Sequence, residues 1–406
     1  MIDKYFRSAN GKFRVGELNL GQLLKGRETP FYVYSAEVIC AKYEQLRQRF
    51  PGFDIFYSLK PNPNVALAQI LRSEGARAEV SSGGELKKAL DAGFHPQNII
   101  FVAPAKTERE IELAVDEGIY AIIVDSLYEL ELVDKIASSR ETRVNVGLRI
   151  NTLEGPKDAP EIMVGVPSKF GFDEEKIIDE LSGLKLKHVV INGIQIYAGS
   201  QILDEDAIKS HNENVFRVAL NIKNSLGIEL RSIDFGGGFG VPYSESTREL
   251  DLGSIARHAI KLRDEYDKHW PGCRYIFEVG RFLIAECGVF VTRVLRTKES
   301  RGECFVTCDG GMNNFTRMAF MRVKHPVRIL NKIEKDKTRN CIVAGPCCAP
   351  IDIIGDHVDI PEPEIGDVVG VFNAGAYGYS MSIHDFISFG RPKEILVDGS
   401  EIREIG

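Results

Sequence analysis

The sequence predicts an α/β protein in which a (β/α)8 TIM barrel is joined to a mostly antiparallel β-domain built from both chain ends. Eight apolar, strand-like runs recur between residues 54 and 281, and helix-like segments separate them. Strands that alternate with helices are expected to be parallel, because each connection is long enough for a crossover. Eight such units favour closure into a barrel, although counting alone leaves an open doubly wound sheet as the alternative.

The eight predicted strands are near-continuous apolar runs, as expected for strands buried on both faces of a parallel sheet. They are DIFYSLK (54–60), RAEVSS (77–82), NIIFVAPA (98–105), AIIVDS (121–126), VNVGLRIN (144–151), VINGIQIYAGSQ (190–201), SIDFGGGFG (232–240) and YIFEVGR (275–281). Segments between them, such as GELKKALDAGF, carry apolar residues three and four apart, which is the helical spacing. We therefore expect the barrel to occupy residues 36–281.

After residue 281 the pattern changes to strands separated by short turns, as in GVFVTRVLRT and ECFVTCDGG. Short strands with little helical spacing between them are typical of an antiparallel β-domain. The run ETPFYVYS (28–35) also looks like a strand, but it precedes the barrel and has no barrel partner. We therefore expect residues 1–35 to join residues 282–406 in one β-domain.

Composition and charge favour small-molecule chemistry. The net charge is −7, and no basic stripe of the kind that binds nucleic acid or anionic lipid is present. The eight cysteines include no C-x-x-C pair, so the sequence predicts neither a zinc site nor a disulfide framework, and a reducing cytoplasm fits best. Charges throughout the first twenty residues argue against a signal peptide, and no later window approaches a membrane span.

A phosphate site is predicted at the carboxyl ends of the seventh and eighth strands, where barrel enzymes commonly bind phosphate. The seventh strand ends in Gly236, Gly237 and Gly238, whose backbone N–H groups can converge on an anion without a Cβ in the way. The eighth ends in Gly280 and Arg281, and a guanidinium adds a charged clamp. A glycine run alone is usually a turn, and its coincidence with Arg281 is what favours phosphate. The dinucleotide and Walker fingerprints are both missing.

Two further residues narrow the choice of phosphate-bearing ligand. Lys60 ends the first strand and is a natural amine for a Schiff base, although most lysines are simply surface residues. Glu278 lies on the same strand as Arg281, where a carboxylate can keep a pyridine nitrogen protonated. A structural ion pair is the alternative for Glu278. Together with the phosphate site, these residues indicate pyridoxal phosphate.

The whole chain resembles the fold-type III pyridoxal-phosphate decarboxylases, the family of diaminopimelate decarboxylase and eukaryotic-type ornithine decarboxylase. The resemblance runs in order through YSLKPN, EVSSGGEL, LRIN, SKFGF, AGSQ, DFGGGFG, EVGR, CDGGMNNFTR, GPCC and GAYGYSMS. It implies an α/β barrel with a β-domain from both chain ends, pyridoxal 5'-phosphate as cofactor, and a homodimer with active sites at its interface.

The resemblance also implies roles for individual residues. Lys60 would bind the cofactor as a Schiff base, and Glu278 would face the pyridine nitrogen. Cys348 falls at the family's catalytic cysteine, which reaches the partner subunit's site, and we expect it, or an acid that it serves, to protonate Cα after CO2 leaves. The remaining cofactor contacts are expected from Tyr197, Ser200, Gly236, Gly237, Gly238, Gly280, Arg281 and Tyr377, and substrate contacts from Arg317, Asp352 and His384.

Three departures from the family pattern concern the substrate. Ala349 follows Cys348 where diaminopimelate and ornithine decarboxylases have an acid that serves the distal ammonium. Tyr197 stands where those enzymes commonly have a histidine, and IHDFISFGRP replaces an asparagine-and-arginine run. Arg317 does align with an arginine that binds a substrate carboxylate in diaminopimelate decarboxylase.

These features are similar to a subgroup found in secondary-metabolite and exopolysaccharide clusters, whose member from butirosin biosynthesis decarboxylates glutamate on an acyl-carrier protein. We therefore expect an α-decarboxylase acting on an amino acid without a free distal ammonium, such as a carrier-tethered one. Diaminopimelate decarboxylase, or another decarboxylase of a free basic amino acid, is the alternative.

Two other functions are less favoured. An alanine racemase-like enzyme shares the barrel type, but there the pyridine nitrogen faces arginine rather than an acid such as Glu278. A silent paralogue that only binds a regulatory protein would not need Lys60, Cys348, Glu278 and Arg281 together. Near the cofactor we also expect Glu79 and Arg149 to form an ion pair, and Asp125 and Glu129 to begin the helix after the fourth strand.

Overall fold

The computed structural model describes residues 2–7, 10–155, 161–244 and 246–406. The chain divides into two compact units. The barrel unit comprises Tyr43–Val241 and Glu249–Arg281, and the β unit comprises Met1–Lys42, Pro242–Arg248 and Phe282–Gly406. The expected barrel bounds of 36–281 differ from these units at residues 36–42 and 242–248.

The strands of the described residues are numbered in chain order. They are β1 (Arg14–Val15), β2 (Leu18–Asn19), β3 (Phe31–Ser35), β4 (Phe53–Ser58), β5 (Arg77–Val80), β6 (Ile99–Val102), β7 (Ala121–Val124), β8 (Val144–Asn151), β9 (Glu161–Ile162), β10 (Phe172–Asp173), β11 (Val189–Gln195), β12 (Gly199–Ser200), β13 (Ser232–Asp234), β14 (Arg274–Val279), β15 (Gly288–Ser300), β16 (Glu303–Cys308), β17 (Val327–Ile329), β18 (Arg339–Ala344), β19 (Ile353–Ile360), β20 (Val368–Phe372), β21 (Lys393–Asp398) and β22 (Glu401–Glu404).

The α-helices are numbered in the same way. They are α1 (Ile2–Tyr5), α2 (Leu20–Leu24), α3 (Ala36–Arg49), α4 (Val65–Glu74), α5 (Gly83–Asp91), α6 (Glu108–Glu117), α7 (Leu127–Ser139), α8 (Ile177–Leu181), α9 (Glu205–Leu226), α10 (Leu252–Tyr266), α11 (Arg281–Ile284) and α12 (Arg317–Met321). Among the described residues, none of these helices is long and apolar enough to cross a bilayer.

Eight parallel strands close into a barrel, as predicted. Their order around the barrel is β4, β5, β6, β7, β8, β11, β13 and β14, and β14 pairs with β4 to complete the circle. Each predicted apolar run overlaps one of these strands, and β4, β11 and β14 begin one residue before their runs. Because all eight are parallel, their carboxyl ends meet at one mouth, which is where barrel enzymes place their working side chains.

The barrel helices begin and end where local sequence signals place them. Thr107 and Glu110 form a reciprocal capping box at the start of α6, and Ser82 and Ser126 cap α5 and α7. Gly75 ends α4 with a φ of 104°, in the left-handed region that glycine adopts without strain. Short polar side chains therefore determine where α5, α6 and α7 begin, and glycine determines where α4 ends.

The β unit contains a mostly antiparallel sheet of nine strands. Its main path runs β19, β18, β16, β15, β3, β21 and β22, and β20 pairs with both β15 and β17. Strand β3 from the chain start lies between β15 and β21 from the second half. This confirms that ETPFYVYS joins the β-domain and that both chain ends build it.

Candidate active site

Lys60 lies just beyond β4 at the mouth of the barrel. Its Nζ donates to Glu79 Oε1 and Oε2 at 2.8 and 2.9 Å, and to Ser81 Oγ at 3.0 Å. The parallel register explains the contact, because Ser58 at the end of β4 lies opposite Glu79 on β5. Burial opposes the charge of the ammonium, but the Glu79 and Glu278 carboxylates outweigh it and raise the pKa of Lys60. Lys60 is therefore held as a cation.

The expected ion pair between Glu79 and Arg149 is wrong. Glu79 is fully buried and pairs with Lys60. Arg149, on β8, instead has its Nε 3.8 Å from Asp125 Oδ1 and its guanidinium over the ring of Phe170. Neighbouring strands decide the partner here: β4 is adjacent to β5, whereas β8 is adjacent to β7, which leads to Asp125.

Glu278 is a second buried carboxylate at the same mouth, on β14. Only 4% of its surface is exposed, and the side-chain amide nitrogen of Gln195 lies 3.4 and 3.3 Å from its two oxygens. Burial raises the pKa of Glu278, the charge of Glu79 raises it further, and Lys60 opposes both. Its carboxylate therefore lies in a strongly charged, dehydrated setting.

The glycine-rich run after β13 follows a path that needs glycine. Gly236 and Gly238 have φ values of 64° and 98°, in the left-handed region. The Gly236 N–H donates to Asp234 Oδ1 at 2.8 Å, and the Gly236 carbonyl accepts from the Glu278 N–H at 2.7 Å. A Cβ on Gly237 would overlap the carbonyl oxygen of Glu278. The loop is thus pressed against the end of β14, and only glycine fits there.

Tyr197, Ser200 and Arg281 complete this group of residues. Arg281 Nη2 donates to Ser200 Oγ at 2.9 Å, and the Ser200 hydroxyl group lies near the Tyr197 side chain. Burial raises the pKa of Tyr197, while the nearby Lys60 cation lowers it. Barrel closure thus places a guanidinium, two hydroxyl groups, the glycine loop, Lys60 and Glu278 at one mouth.

The β unit carries the remaining candidates. Arg317 is 2% exposed, its Nε donates to His325 Nε2 at 3.0 Å, and its guanidinium lies over the rings of Tyr243 and Tyr377, 5.1 and 5.7 Å from their centroids. His325 Nδ1 lies 2.9 Å from the carbonyl oxygen of Phe372, so it donates there and Nε2 is the acceptor for Arg317. This arrangement fixes the orientation of the arginine.

The loop 345–352 holds Cys348. Cys348 is exposed, whereas Cys347 is buried beside it and burial raises its pKa to about 12. Asp352 is 3% exposed, and its two oxygens accept the N–H groups of Met312 and Cys347, each at 2.6 Å. Asp352 therefore anchors the loop, and a direct substrate contact by Asp352 stays a prediction.

His384 lies just beyond the segment GAYGYSMS. Its Nε2 is 3.0 Å from the carbonyl oxygen of Tyr379, and its ring packs against the Tyr379 ring. Burial lowers its pKa, which favours the neutral imidazole. A substrate contact by His384 stays a prediction.

The residues at the barrel mouth fit pyridoxal phosphate on chemical grounds. An aldehyde needs an amine, which Lys60 supplies. A phosphate needs N–H groups without side chains in the way and a cation. Gly237, Gly238 and Arg281 lie at this mouth, whereas the Gly236 N–H already donates to Asp234. A pyridinium needs an acceptor, and Glu278 is a carboxylate in a buried position.

Comparison with known proteins gives the same assignment. Residues 36–285 match the family model of the pyridoxal-dependent decarboxylases, pyridoxal binding domain. The chain belongs to this family of decarboxylases. The enzyme is therefore a pyridoxal-phosphate-dependent carboxy-lyase of the α/β-barrel type.

Individual relatives of the decarboxylase differ in substrate. L-glutamyl-[BtrI acyl-carrier protein] decarboxylase of Niallia circulans is 38% identical over 92% of this chain and 90% of its own length. Diaminopimelate decarboxylase of Aquifex aeolicus is 31% identical over 99% of this chain and 94% of its own. The structure of diaminopimelate decarboxylase from M. jannaschii with L-lysine matches with a TM-score of 0.93, 28% identity and coverage of 99% and 95% of the two chains.

Sequence reasoning missed several residues around the site of this decarboxylase. Ser81 contacts Lys60, Gln195 contacts Glu278, and His325 contacts Arg317. Ser81 and Gln195 follow or end barrel strands, which was a usable signal. His325 had no such signal in the sequence, because its contact with Arg317 arises from the path of the chain after α12 and not from the spacing of residues in a strand or helix.

Proposed function

We propose that the enzyme removes the α-carboxylate of an amino acid that has no free distal ammonium, such as a glutamyl group tethered to a carrier protein. The loop 345–352 carries this proposal. Ala349, in the position where related enzymes carry an acid, packs against Met312, Ala319 and Cys347. The acid of this loop, Asp352, gives both oxygens to backbone N–H groups. A distal ammonium would meet no free carboxylate from this loop, and a cation without a counter-charge is costly to bury.

The relative from Niallia circulans supports the same substrate class, since its name specifies glutamate on an acyl-carrier protein. Arg317 is compatible with that substrate. Its guanidinium is held by His325 and by two tyrosine rings, so it can donate to a distal carbonyl or carboxylate oxygen. We assign Arg317 to that oxygen.

Pyridoxal phosphate, when bound, supplies an electron-accepting ring that stabilises the charge left at Cα as CO2 departs. In the proposed site Lys60 is the amine for the cofactor aldehyde, and Glu278 keeps a proton at the ring nitrogen. The two side chains come from paired strands, because Lys60 follows β4 and Glu278 lies on β14.

The phosphate contacts in this proposal come from Gly236, Gly237, Gly238, Gly280, Ser200 and Arg281, together with Tyr377, and Tyr197 offers its aromatic face to the ring. Cys348 is the proton donor to Cα, in agreement with its exposed position beside the anchored Cys347. His384 and Asp352 are assigned to the substrate side of the site. Each of these roles is testable by substitution.

A homodimer with shared sites is part of the proposal. Three segments of the β unit lie against one another: residues 312–321, the loop 345–352 and residues 381–389. The Thr316 N–H donates to Ser382 Oγ at 3.2 Å, and Ile383 packs on the cluster that contains Cys347. Exposed apolar side chains occur on all three segments, and we infer that they form one surface, which we call the apolar face: Phe320, Met321, Ile351, Met381, Phe386, Ile387 and Phe389. Monomeric proteins rarely leave such a contiguous face in water, and a second copy would cover it.

Diaminopimelate decarboxylase is the second candidate function. Arg317 favours it, since meso-diaminopimelate has a distal carboxylate, and the Aquifex aeolicus relative matches across nearly the whole chain. The same substrate also has a distal ammonium, for which the loop 345–352 offers no free carboxylate.

The test is CO2 release by the purified holoenzyme. We expect glutamyl thioester on a carrier protein to give a kcat/KM at least about tenfold above that of free glutamate, lysine, ornithine or meso-diaminopimelate. Lys60→Ala serves as the inactive control. Ala349→Asp should improve turnover of free diamino acids, because it restores a counter-charge. Efficient turnover of free meso-diaminopimelate by the unaltered enzyme would contradict the proposed substrate class.

A further inference from the structure

Asp234 is a buried carboxylate directly beside the proposed cofactor site, and none of the roles assigned above uses it. It ends β13 and is 2% exposed. The sheet register places it opposite Gln195 on β11 and Ile276 on β14. Gln195 in turn contacts Glu278. Asp234 thus lies among the residues that surround the Glu278 carboxylate.

The two oxygens of Asp234 have different surroundings. Oδ1 accepts the N–H of Gly236 at 2.8 Å. Oδ2 is buried and accepts no hydrogen bond from an N–H or hydroxyl group in the described part of the chain. The Asp234 side chain is nevertheless within hydrogen-bonding reach of Glu278. Two ionised carboxylates can only accept, so a hydrogen bond between them requires that one carries a proton.

The surrounding charges decide which carboxylate carries that proton. Glu278 is near two cations, Lys60 and Arg149, which favour its ionised form, although burial and Glu79 oppose them. For Asp234, burial, Glu278 and Glu79 all raise the pKa, and the Gly236 N–H is the contact that lowers it. The proton therefore belongs on Asp234, and the negative charge on Glu278.

We propose that Asp234 is a positioning residue that keeps a proton on Oδ2 and donates it to Glu278, so that Glu278 faces the cofactor ring nitrogen as an oriented anion. This inference rests on the proposed role of Glu278. The donated hydrogen bond leaves Glu278 charged while relieving part of the cost of burying that charge, since hydrogen bonds to charged groups are the strong ones.

The experiment compares two ligands of the apo-protein: pyridoxal phosphate, and its analogue with carbon in place of the ring nitrogen. Fluorescence titration gives both dissociation constants. The ratio of the analogue's dissociation constant to that of pyridoxal phosphate measures the contact between Glu278 and the ring nitrogen without any turnover. Asp234→Asn keeps an acceptor for Gly236 and a donor for Glu278, so its ratio should stay within about threefold of wild type. Asp234→Ala loses the donor, so its ratio should fall about tenfold.

Several outcomes would overturn the inference. If Asp234→Ala weakens both ligands equally, Asp234 only shapes the glycine loop. If the ratio falls as far in Asp234→Asn as in Asp234→Ala, a hydrogen bond donated to Glu278 does not account for the effect of Asp234. Glu278→Gln tests the proposed role of Glu278 separately. An unchanged ratio in that variant would show that Glu278 does not contact the ring nitrogen, whatever Asp234 does.

A pH series covers the case in which Asp234→Ala does not fold. In wild type, loss of the Asp234 proton at alkaline pH would place two anions side by side and weaken pyridoxal phosphate binding. Asp234→Asn has no such proton, so its affinity should fall less than that of wild type as the pH is raised into the alkaline range. Identical pH profiles for the two proteins would contradict the inference.

Discussion

At the scale of single residues, buried carboxylates distinguish this site. Glu79, Glu278 and Asp234 lie on three barrel strands, and each has a different partner: the Lys60 ammonium, the Gln195 amide and the Gly236 N–H. In a dehydrated setting, a carboxylate keeps its charge only when such partners offset the cost of burial. The site therefore depends on which residue each acid faces.

Asp125, which follows β7, gives a residue-scale prediction about pH. Burial raises its pKa to about 6, although Arg149 and Lys106 oppose the shift. The folded pKa of Asp125 lies above the unfolded one. Between about pH 4 and 6 the folded state therefore keeps a proton on Asp125 that the unfolded chain has released. The free energy of unfolding should therefore decrease across that window by about 2 kcal/mol from this residue and level off above it.

Asp125→Asn removes this titration and keeps an acceptor for the Gly171 N–H, which donates to Asp125 Oδ1 at 2.6 Å. Urea unfolding at about pH 4.5 and pH 7.5 checks it. The stability of the variant relative to wild type should be greater at the higher pH. An equal difference at both pH values would contradict the raised pKa.

At the scale of elements, the loop 236–238 is confined by the end of β14. Gly237→Ala would bring a methyl group into the carbonyl oxygen of Glu278, and backbone atoms cannot move aside as a flexible side chain can. We expect a loss of about 1–3 kcal/mol in stability and a loss of at least about tenfold in pyridoxal phosphate affinity. Thermal unfolding and cofactor titration measure the two effects.

Gly84→Ala is the matched control for this prediction. Gly84 lies in the first turn of α5, and the nearest atom to a Cβ there would be the Ser82 hydroxyl oxygen at 3.6 Å. Alanine favours a helix over glycine, so this variant should be as stable as wild type or more so. Equal cofactor affinity in both variants would show that the position of Gly237 is not special.

At the scale of the whole molecule, the apolar face predicts assembly. Phe320, in α12, is 56% exposed within that face. Phe320→Glu would place a charge in an apolar contact between copies, so we expect a shift from dimer to monomer in light scattering and a loss of CO2 release. Tyr128→Glu, on α7 of the barrel unit and 76% exposed, is the control and should leave both unchanged.

Mixed subunits test whether the sites are shared. Lys60→Ala and Cys348→Ala are each expected to be inactive alone. If Cys348 serves the partner's site, half of a random mixture is heterodimer with one intact site of two, so about a quarter of the activity should return. No recovery in a mixture shown to exchange subunits would contradict shared sites.

The amino-acid sequence was sufficient to predict the strands and helices and the chemistry at the strand ends. Strand and helix periods depend on neighbours along the chain, so the eight barrel strands, the β-domain from both chain ends and the match to the decarboxylases could be predicted. Lys60, Glu278 and the glycine run were identifiable because strand ends are visible in the sequence.

The contacts between side chains, by contrast, become visible only in the folded chain. Glu79 was expected to pair with Arg149 and pairs with Lys60, and His325 was not assigned to Arg317 at all. Asp234 was given no role from the sequence, where it is one residue of the seventh predicted strand, but the register of β13 between β11 and β14 places it beside Glu278. Such contacts join residues that are distant in sequence, and they depend on strand order and register, which no local period records.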